Sequence, residues 1–447
     1  MLNKIVRSRQ ELSPESRKII HNTGWLFASK IGRMFVSLFV ATWVARYLGP
    51  NQFGTLQYAL AFSGFFMPLS TGQMGPIITR ELVRRPEHRS IILGTAFILQ
   101  LLGGMVAASL CVVGIFILAP GNSLIRILVF IVSLKFFLNS LQPIENWFES
   151  QVNSKFTVFA EHLSFLMISA IKCGLILWQA PLVAFAIVII LEALLYGLFL
   201  IFYYQRDRQS IYNWKSNFQT FKYLLKESFP LLLSSTACVI YINIDKIMLG
   251  NMIDSQAVGI YSSASALSEA SSFLPLIVCS SLYPAIIQSK NSESSVYQKK
   301  MQRFYDSISF LSYSAIALMI PLSGLAIALL YGNSYQAAIP ILKIHIWSTL
   351  FTFLGIAQSK WIVAEGLQLF NFYSRLAGLI SNIALNGLLI PTYGGTGAAI
   401  ATLISYAIGS YLYFLFIPQT RNNAILMTKA ICLPFRLPKM FLSFIHS

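Results

Sequence analysis

Residues 91–118 read IILGTAFILQLLGGMVAASLCVVGIFIL, and this stretch decides the class of the protein. It holds 28 residues and no charged side chain. An apolar run of about 18 or more residues, rising roughly 1.5 Å per residue, crosses a hydrocarbon core of about 30 Å as an α-helix. Apolar and polar residues do not alternate along it, as they do in a strand of a membrane barrel. The stretch therefore predicts a membrane-spanning helix.

Similar apolar runs recur along nearly the whole chain. The 447 residues are 56% apolar and only 11% charged, whereas a soluble domain is about 25% charged. We place spans at 22–47, 53–79, 91–118, 122–144, 156–178, 181–204, 228–250, 258–288, 305–330, 337–360, 367–390 and 395–418. The sequence thus predicts an all-α integral membrane protein with about twelve transmembrane helices.

The distribution of Lys and Arg predicts the orientation, because loops rich in these residues stay in the cytoplasm. The basic segments are the N-terminal tail 1–21, the loop 80–90, the linker 205–227, the loop 289–304 and the C-terminal tail 419–447. The alternate loops, near positions 50, 121, 179, 254, 333 and 394, contain no Lys or Arg. Both termini are therefore predicted in the cytoplasm. The net charge of +17 reflects this asymmetry and attraction to anionic lipid, so no nucleic-acid partner is predicted.

The two halves of the chain resemble each other weakly. Gly54 follows the first span and precedes Pro68 and Pro76, as Gly259 follows the seventh span and precedes Pro275 and Pro284. The successive Gly-to-Pro and Pro-to-Pro spacings agree within two residues. We therefore predict two pseudo-symmetric six-helix lobes, 22–204 and 228–418, around a central cavity.

The linker 205–227 has an amphipathic pattern. Trp214, Phe218, Phe221 and Leu225 recur at helical spacing, with Lys215, Lys222 and Lys226 between them. The pattern predicts an interfacial helix that serves as the hinge between the lobes.

Ionisable residues at membrane depth are costly, so they face a partner, water or a substrate. The candidate substrate-binding cations are Lys30, Arg33, Lys135, Lys172 and Arg375. The candidates for ion coupling or for lobe contacts are Glu192, Asp245, Lys246 and Glu269. Because cations outnumber acids in this set, the predicted cavity is cationic.

The sequence leaves two interpretations of these charges open. Lys30 and Arg33, one turn apart, form either a cationic wall for a diphosphate or an acidic sugar, or ion pairs with Glu192 or Glu269 that hold the bundle together. Glu192 and Glu269 are either proton or sodium sites or structural partners. Asp245 and Lys246 are adjacent and point to different helix faces, so a contact between lobes explains them as well as substrate does.

Motifs for chemistry are missing from the sequence. The five histidines form no metal-binding cluster, the five cysteines lie singly, and no GxxxxGK[ST] phosphate loop is present. We predict no catalytic residues, no metal, no cofactor and no enzymatic activity. A membrane-embedded sugar polymerase or glycosyltransferase is the enzyme alternative, but it would be expected to have a larger non-cytoplasmic loop with clustered carboxylates or arginines.

Several short motifs, in their order and spacing, carry a family resemblance. They are RYLGPNQFG at 46–54, TRE at 79–81, QP at 142–143 with WF at 147–148, NIDKIMLG at 243–250 and VGIY at 258–261. Over residues 20–420 the chain resembles the bacterial polysaccharide flippases of O-antigen type, within the multidrug/oligosaccharidyl-lipid/polysaccharide exporter superfamily. It departs from them at ESQVN, 149–153, where the family has a Gly-Leu-Glu-Lys type of turn.

The resemblance implies a function. Such a protein flips an undecaprenyl-diphosphate-linked oligosaccharide across the bacterial cytoplasmic (inner) membrane for polysaccharide or lipopolysaccharide O-antigen synthesis, with ion counter-transport as an option. Arg33 and Lys30 would attract the diphosphate, and Lys135, Lys172 and Arg375 would line the route. Membrane lipids, a polysaccharide polymerase and a chain-length regulator are the implied partners. The sister branch exports small cationic drugs or metabolites, an alternative that the excess of Lys and Arg disfavours.

Overall fold

A computed structural model describes residues 14–288 and 294–436, with side chains from position 32 onward except at 284, 285, 288 and 294. Helices make up most of these residues, and no strand occurs among them. The helices are α1 Pro14–Gly64, α2 Met67–Thr71, α3 Gly75–Arg84, α4 Arg89–Leu118, α5 Ser123–Ser133, α6 Lys135–Leu138, α7 Gln142–Ser150, α8 Lys155–Leu177, α9 Leu182–Arg206, α10 Phe218–Met252, α11 Ser255–Glu269, α12 Phe273–Gln288, α13 Ser294–Leu330, α14 Ala338–His345, α15 Ser348–Ala364, α16 Gln368–Ala407, α17 Tyr413–Phe416 and α18 Pro418–Ile431.

These helices form the twelve predicted passes. Nine helical stretches in the described part of the chain are long and apolar enough to cross a membrane, and one of them, 368–416, changes direction at Gly394 and holds the last two passes. The first two passes lie in α1, α2 and α3. Gly49 separates them with a left-handed φ of 69°, a conformation that glycine adopts without steric cost, and Pro50 starts the next helical turn.

The outward faces of the passes are apolar. On α4, for example, the side chains of Leu102, Met105, Val106, Leu110 and Val113 are exposed. A continuous apolar surface of this kind is unfavourable in water and is the normal surface of a helix in lipid. The inward faces bear small and polar residues instead, including Thr95, Gln100 and Gly104 on the same helix.

Three apolar cores hold the passes together. One contains residues of both lobes, such as Phe53, Ile115, Tyr261, Tyr335 and Ala398, and we call this side of the molecule the crossing end. The other two cores belong to one side of the chain each. The first-lobe core includes Ile78, Leu93 and Trp147, and the second-lobe core includes Ile308, Phe353 and Met427.

The first-lobe core borders the basic connections 80–90 and 205–217, and the second-lobe core contains Ile286 and Met301, on either side of the basic loop 289–304. We call this side the basic end. The lobes therefore share one core at the crossing end, whereas at the basic end each has its own core and only the first turns of α10 join them. This arrangement leaves room for a cavity between them.

The linker differs from its prediction. The amphipathic segment is not a separate hinge helix, because α10 begins at Phe218 and runs without interruption to Met252. Its first turns pack on the first lobe, where Leu224 is fully buried and Phe221 and Trp214 lie against the same core. The physical reason is that these apolar side chains find a protein surface to cover. Phe218 itself remains exposed.

The predicted C-terminal tail also contains structure. Helix α18 covers residues 418–431 and buries Ala424, Met427 and Ala430 in the second-lobe core. The ion pair between Arg436 and Asp306, 3.1 Å apart, fixes the chain beyond it.

Candidate substrate cavity

The lobes meet backbone to backbone at the crossing end. A Cβ atom on Gly54 would overlap the carbonyl oxygen of Ser255, and one on Gly259 would overlap that of Pro50. Only glycine permits such an approach at either position. The comparison of the two halves paired these same two glycines, and in the fold they face each other across the boundary between the lobes.

Hydrogen bonds add to the closure of this end. The Tyr58 hydroxyl donates to Asn251 Oδ1 at 2.8 Å, and the Tyr335 hydroxyl donates to the Ala45 carbonyl oxygen at 2.7 Å. Each bond joins one lobe to the other. The crossing end is thus closed by direct contacts rather than by a plug of side chains.

A cavity of about 760 Å³ lies between the lobes. The first lobe contributes Arg33, Glu145, Glu161 and His162 to its lining, and the second lobe contributes Glu269. Ala266 and Ala270 flank Glu269 on the same wall, so the second-lobe side is otherwise smooth. The cavity has the size expected for a small-molecule or headgroup site.

A second cavity, of about 330 Å³, extends into the first lobe. Arg33, Glu145 and Glu161 border both cavities, and Lys135 and Glu192 line only the inner one. Asn139 and Gln142 add amide groups, and the Tyr196 hydroxyl donates to the Glu145 carboxylate. The structure therefore brings together three predicted residues, Arg33, Lys135 and Glu192, from three different passes.

Two of the predicted cations of the first lobe, Arg33 and Lys172, have carboxylate neighbours. Arg33 is ion-paired with Glu161, and its guanidinium also lies 5.3 Å from the centre of the Phe165 ring. Lys172 lies 4.0 Å from Glu192. The sequence left open that Arg33 forms an ion pair with Glu192 or Glu269. In the structure Arg33 does form an ion pair, but its partner is Glu161.

The described lining is not a cationic wall. Two cations, Arg33 and Lys135, face three carboxylates in the inner cavity. In the central cavity, Arg33 faces Glu145, Glu161 and Glu269. Lys30 lies on α1, and its side chain is outside the described part of the chain. The excess of cations in the sequence at membrane depth therefore does not carry over to the walls that the structure describes.

Glu145 and Glu161 were not among the residues singled out from the sequence. Glu161 lies six residues inside α8, about 9 Å from its start, so the argument used for Glu192 would have found it. Glu145 lies in the short helix α7, one residue beyond the predicted span 122–144. Only the packing of α7 against α9 brings it to the cavity.

In the second lobe a buried carboxylate, Asp245, is held by hydrogen bonds to neutral groups of the described residues rather than by an ion pair. Asp245 is buried and accepts three hydrogen bonds, from Asn386 Nδ2 at 2.6 Å, the Tyr261 hydroxyl at 2.6 Å and the Thr402 hydroxyl at 2.7 Å. Lys246 points elsewhere and donates to Asn243 Oδ1 at 3.2 Å. Asp245 is therefore part of a network inside the second lobe, and adjacent Lys246 does not belong to it.

Arg375 is far from the other predicted cations. It lines a separate cavity of about 140 Å³ within the second lobe, between α10, α15, α16 and α17. The structure does not join it to Arg33 and Lys135 in one route.

Comparisons with known proteins agree with this architecture. The model of a family described as polysaccharide biosynthesis protein matches residues 19–290. The capsular polysaccharide biosynthesis protein CapF of Staphylococcus aureus is 22% identical over 402 residues, which cover 89% of this chain and 99% of that protein.

Two solved structures share the fold. The lipid II flippase MurJ, in an inward closed conformation, aligns with a TM-score of 0.73 and 16% identity over 92% of each chain. An inward-facing multidrug resistance MATE family transporter of the MOP superfamily aligns with a TM-score of 0.74 and 14% identity, over 89% of this chain and 96% of that one. The prediction of two six-helix lobes around a central cavity is confirmed.

Proposed function

The chain belongs to the family of polysaccharide biosynthesis proteins, and we propose that it flips a lipid-linked oligosaccharide across the bacterial cytoplasmic membrane by alternating access. The observation that carries this proposal is the cavity of about 760 Å³ between two lobes whose shared apolar core closes one end. A cavity closed on one side is what one half of an alternating-access cycle requires.

The positions of Lys and Arg support a direction of transport. By the positive-inside rule, the basic end faces the cytoplasm, where the lipid-linked sugar of such a pathway is assembled. The crossing end then faces outward and is closed. The cavity would load an undecaprenyl-diphosphate-linked substrate from the inside, for capsule, O-antigen or a related polysaccharide, and a polymerase and chain-length regulator would act on the product.

Arg33 is the residue on which we base diphosphate binding. Its guanidinium borders both cavities, and a diphosphate offers the paired oxygens that a guanidinium binds well. In the structure the Arg33 guanidinium is ion-paired with the Glu161 carboxylate, so an incoming diphosphate would displace Glu161. Lys135, which also lines the inner cavity, and Lys30, one turn from Arg33 in sequence, would add positive charge.

Asp245 is the residue at which we place the coupling ion. Its carboxylate lies among hydroxyl and amide groups, and the nearby Asn386 Oδ1 is buried without a hydrogen-bond partner among the described residues. An oxygen-rich site with an unused acceptor suits a hard monovalent cation or a proton. Glu269, which lines the central cavity, and Lys246, which acts on it electrostatically, would connect this network to the cavity.

Reconstitution tests the function directly. The full chain is placed in liposomes with a fluorescent undecaprenyl-diphosphate oligosaccharide in the inner leaflet, and the fraction exposed to an added glycosidase is measured. We expect protein-dependent exposure that Arg33→Gln reduces at least about tenfold, because a charge-assisted contact to the phosphate is lost. The matched control is Arg126→Gln, which removes an arginine from the start of α5, outside both cavities.

One result would contradict the proposed function, and a second would contradict the role of Arg33. Equal exposure with and without protein would exclude flipping of this substrate. Equal loss in Arg33→Gln and Arg126→Gln, at equal amounts of folded protein, would remove Arg33 from the mechanism. For the coupling ion, Asp245→Asn is expected to abolish the dependence of transport on an imposed sodium or proton gradient.

The surplus of carboxylates in the described lining favours a second candidate, the export of a small organic cation. Glu145, Glu161 and Glu269 around one arginine would attract such a cargo. The same liposomes distinguish the two. Uptake of a fluorescent organic cation without glycosidase-accessible oligosaccharide would favour the exporter.

A further inference from the structure

The cavity of about 140 Å³ inside the second lobe has a lining unlike that of the other two. Its polar groups are the guanidinium of Arg375, the amides of Gln358 and Asn371, and the hydroxyls of Thr352, Ser359, Ser410, Tyr241 and Tyr406. No Asp or Glu occurs among the described residues that border it. The walls are otherwise neutral, so the cavity carries a net positive charge.

Arg375 has no carboxylate within ion-pair distance in the described part of the chain. Its one hydrogen bond to a side chain there goes to the Cys238 sulfur at 3.5 Å, and sulfur is a weak acceptor. A partly buried guanidinium keeps its charge and has five N–H donors to satisfy. At this depth in the protein an anion would satisfy them best.

Gln358 supplies an independent observation. It is 1% exposed and borders the cavity, and neither its Nε2 nor its Oε1 has a hydrogen-bond partner among the described residues. Leaving a buried amide without partners costs free energy, and native structures rarely keep one without a ligand or water to bind it. Gln358 and Arg375 lie on neighbouring passes, α15 and α16, so one ligand can contact both.

The backbone at the cavity is irregular. Residues 408–412 form a π-helical turn, and Gly409 and Ser410 of this turn line the cavity. A π-helical turn is rare and is frequently found at functional sites. Here it directs the hydroxyl of Ser410 toward Gly355 of α15, where a Cβ would lie only 2.7 Å from the Ser410 oxygen.

We propose that this cavity binds a phosphate group, held by the guanidinium of Arg375 and the amide of Gln358. A guanidinium with neighbouring amide and hydroxyl donors matches a tetrahedral oxyanion. The volume of about 140 Å³ equals that of several waters, at roughly 30 Å³ each, which is enough for a phosphate and more than a single water needs. The proposal does not depend on what the central cavity transports.

The depth of the cavity indicates where the phosphate comes from. Arg375 lies seven residues from the start of α16 and Gln358 six residues from the end of α15, so both are about 10 Å from the basic end of their helices. That is within about 10 Å of the cytoplasmic helix ends, where lipid headgroups lie, and basic pockets between helices on the cytoplasmic side bind anionic headgroups. The same chemistry would also accept inorganic phosphate.

The test uses the purified full chain and two probes. The first is inorganic phosphate, added to protein in a zwitterionic detergent against chloride at equal ionic strength. The second is phosphatidylglycerol, presented in phosphatidylcholine nanodiscs with and without the anionic lipid. A ligand that binds the folded state raises the midpoint of thermal unfolding, and titration of this shift gives an affinity.

We expect one or both probes to stabilise the wild-type protein, and Arg375→Gln to weaken that affinity at least about tenfold. Stabilisation by phosphatidylglycerol alone identifies a lipid headgroup, and stabilisation by inorganic phosphate identifies a soluble ligand. Arg421→Gln, an exposed arginine on α18 outside the cavity, is the matched control and is expected to behave as wild type.

Gln358→Leu is a second variant that tests the proposal even if Arg375→Gln does not fold. The substitution replaces a buried amide without partners by an apolar group of similar size, so the ligand-free protein is expected to fold with undiminished stability. Its affinity for the probe should nevertheless fall several-fold. The proposal is overturned if neither probe stabilises the wild type, or if wild type, Arg375→Gln, Gln358→Leu and Arg421→Gln respond equally.

Discussion

At the crossing end, Gly54 and Gly259 bring backbone atoms of the two lobes into contact, whereas ten residues beyond Gly259 the carboxylate of Glu269 stands in a cavity of about 760 Å³. These two regions lie on the same helix, α11, only about 15 Å apart. The first is held by small residues and apolar packing. The second is kept open by charges that need water or a partner.

The comparison indicates what each step of an alternating-access cycle requires. Opening the crossing end means separating a core that both lobes share, so it costs apolar burial. Closing the basic end means burying Arg33, Glu161 and Glu269, so it requires their charges to be compensated. The ion pair between Arg33 and Glu161 already provides part of that compensation.

The largest effect is expected from Gly259→Val, which would prevent the two lobes from closing at the crossing end. The added side chain overlaps the Pro50 carbonyl oxygen, and overpacking of this kind costs about 1–3 kcal/mol, enough to shift the ratio of closed to open crossing ends by roughly 5–150-fold. The measurement is labelling of Ala45→Cys, a position fully buried in the core that both lobes share, by an impermeant maleimide added outside. Gly174→Val on α8, where a Cβ meets nothing within 4 Å, is the control. Unchanged labelling in the Gly259 variant would show that the lobes do not close there.

A smaller effect is expected from Glu161→Gln, which tests whether Glu161 competes with the substrate for Arg33 in the cavity. Removing the carboxylate that occupies Arg33 frees the guanidinium, so an undecaprenyl diphosphate analogue should bind roughly tenfold tighter. The measurement is a binding titration in detergent. Glu149→Gln, a carboxylate outside the lining of both cavities, serves as the control. Weaker binding in the Glu161 variant would mean that Glu161 positions Arg33 rather than competing with substrate.

Tyr58→Phe tests the crossing end more gently. The substitution removes the hydrogen bond to Asn251, worth about 0.5–1.5 kcal/mol, and leaves the ring in place. We expect a shift of about 2–12-fold toward the open crossing end, in the same labelling assay and in the same direction as Gly259→Val. A shift in the opposite direction would show that the bond does not favour closure.

The smallest effect is expected at the basic end. The Glu227 carboxylate raises the pKa of the Arg80 guanidinium across a gap of 3.0 Å, but both side chains are about 40% exposed. Water and salt screen such a pair. Glu227→Gln should therefore leave the unfolding midpoint and the labelling of the crossing end unchanged. A large change in either would show that this contact between α3 and α10 latches the lobes.

The fold was predictable to a large extent because its determinants are local. Length and hydropathy placed the spans, and the loops without Lys or Arg fall where the passes turn. The match between Gly54 and Gly259 was visible as spacing. The hinge in the linker was not predictable, since whether Phe221 and Leu224 meet lipid or protein depends on the surface that the first lobe presents.

The candidate site was predictable only in part. The sequence by itself determined that charged residues sit at membrane depth, because each stands inside an apolar run and no other location is open to it. It could not determine that Arg33 meets Glu161, that Glu145 joins them, or that Arg375 lies in a cavity of its own. Those pairings depend on the rotation of each helix and on contacts between passes far apart in the chain, which only the tertiary structure decided.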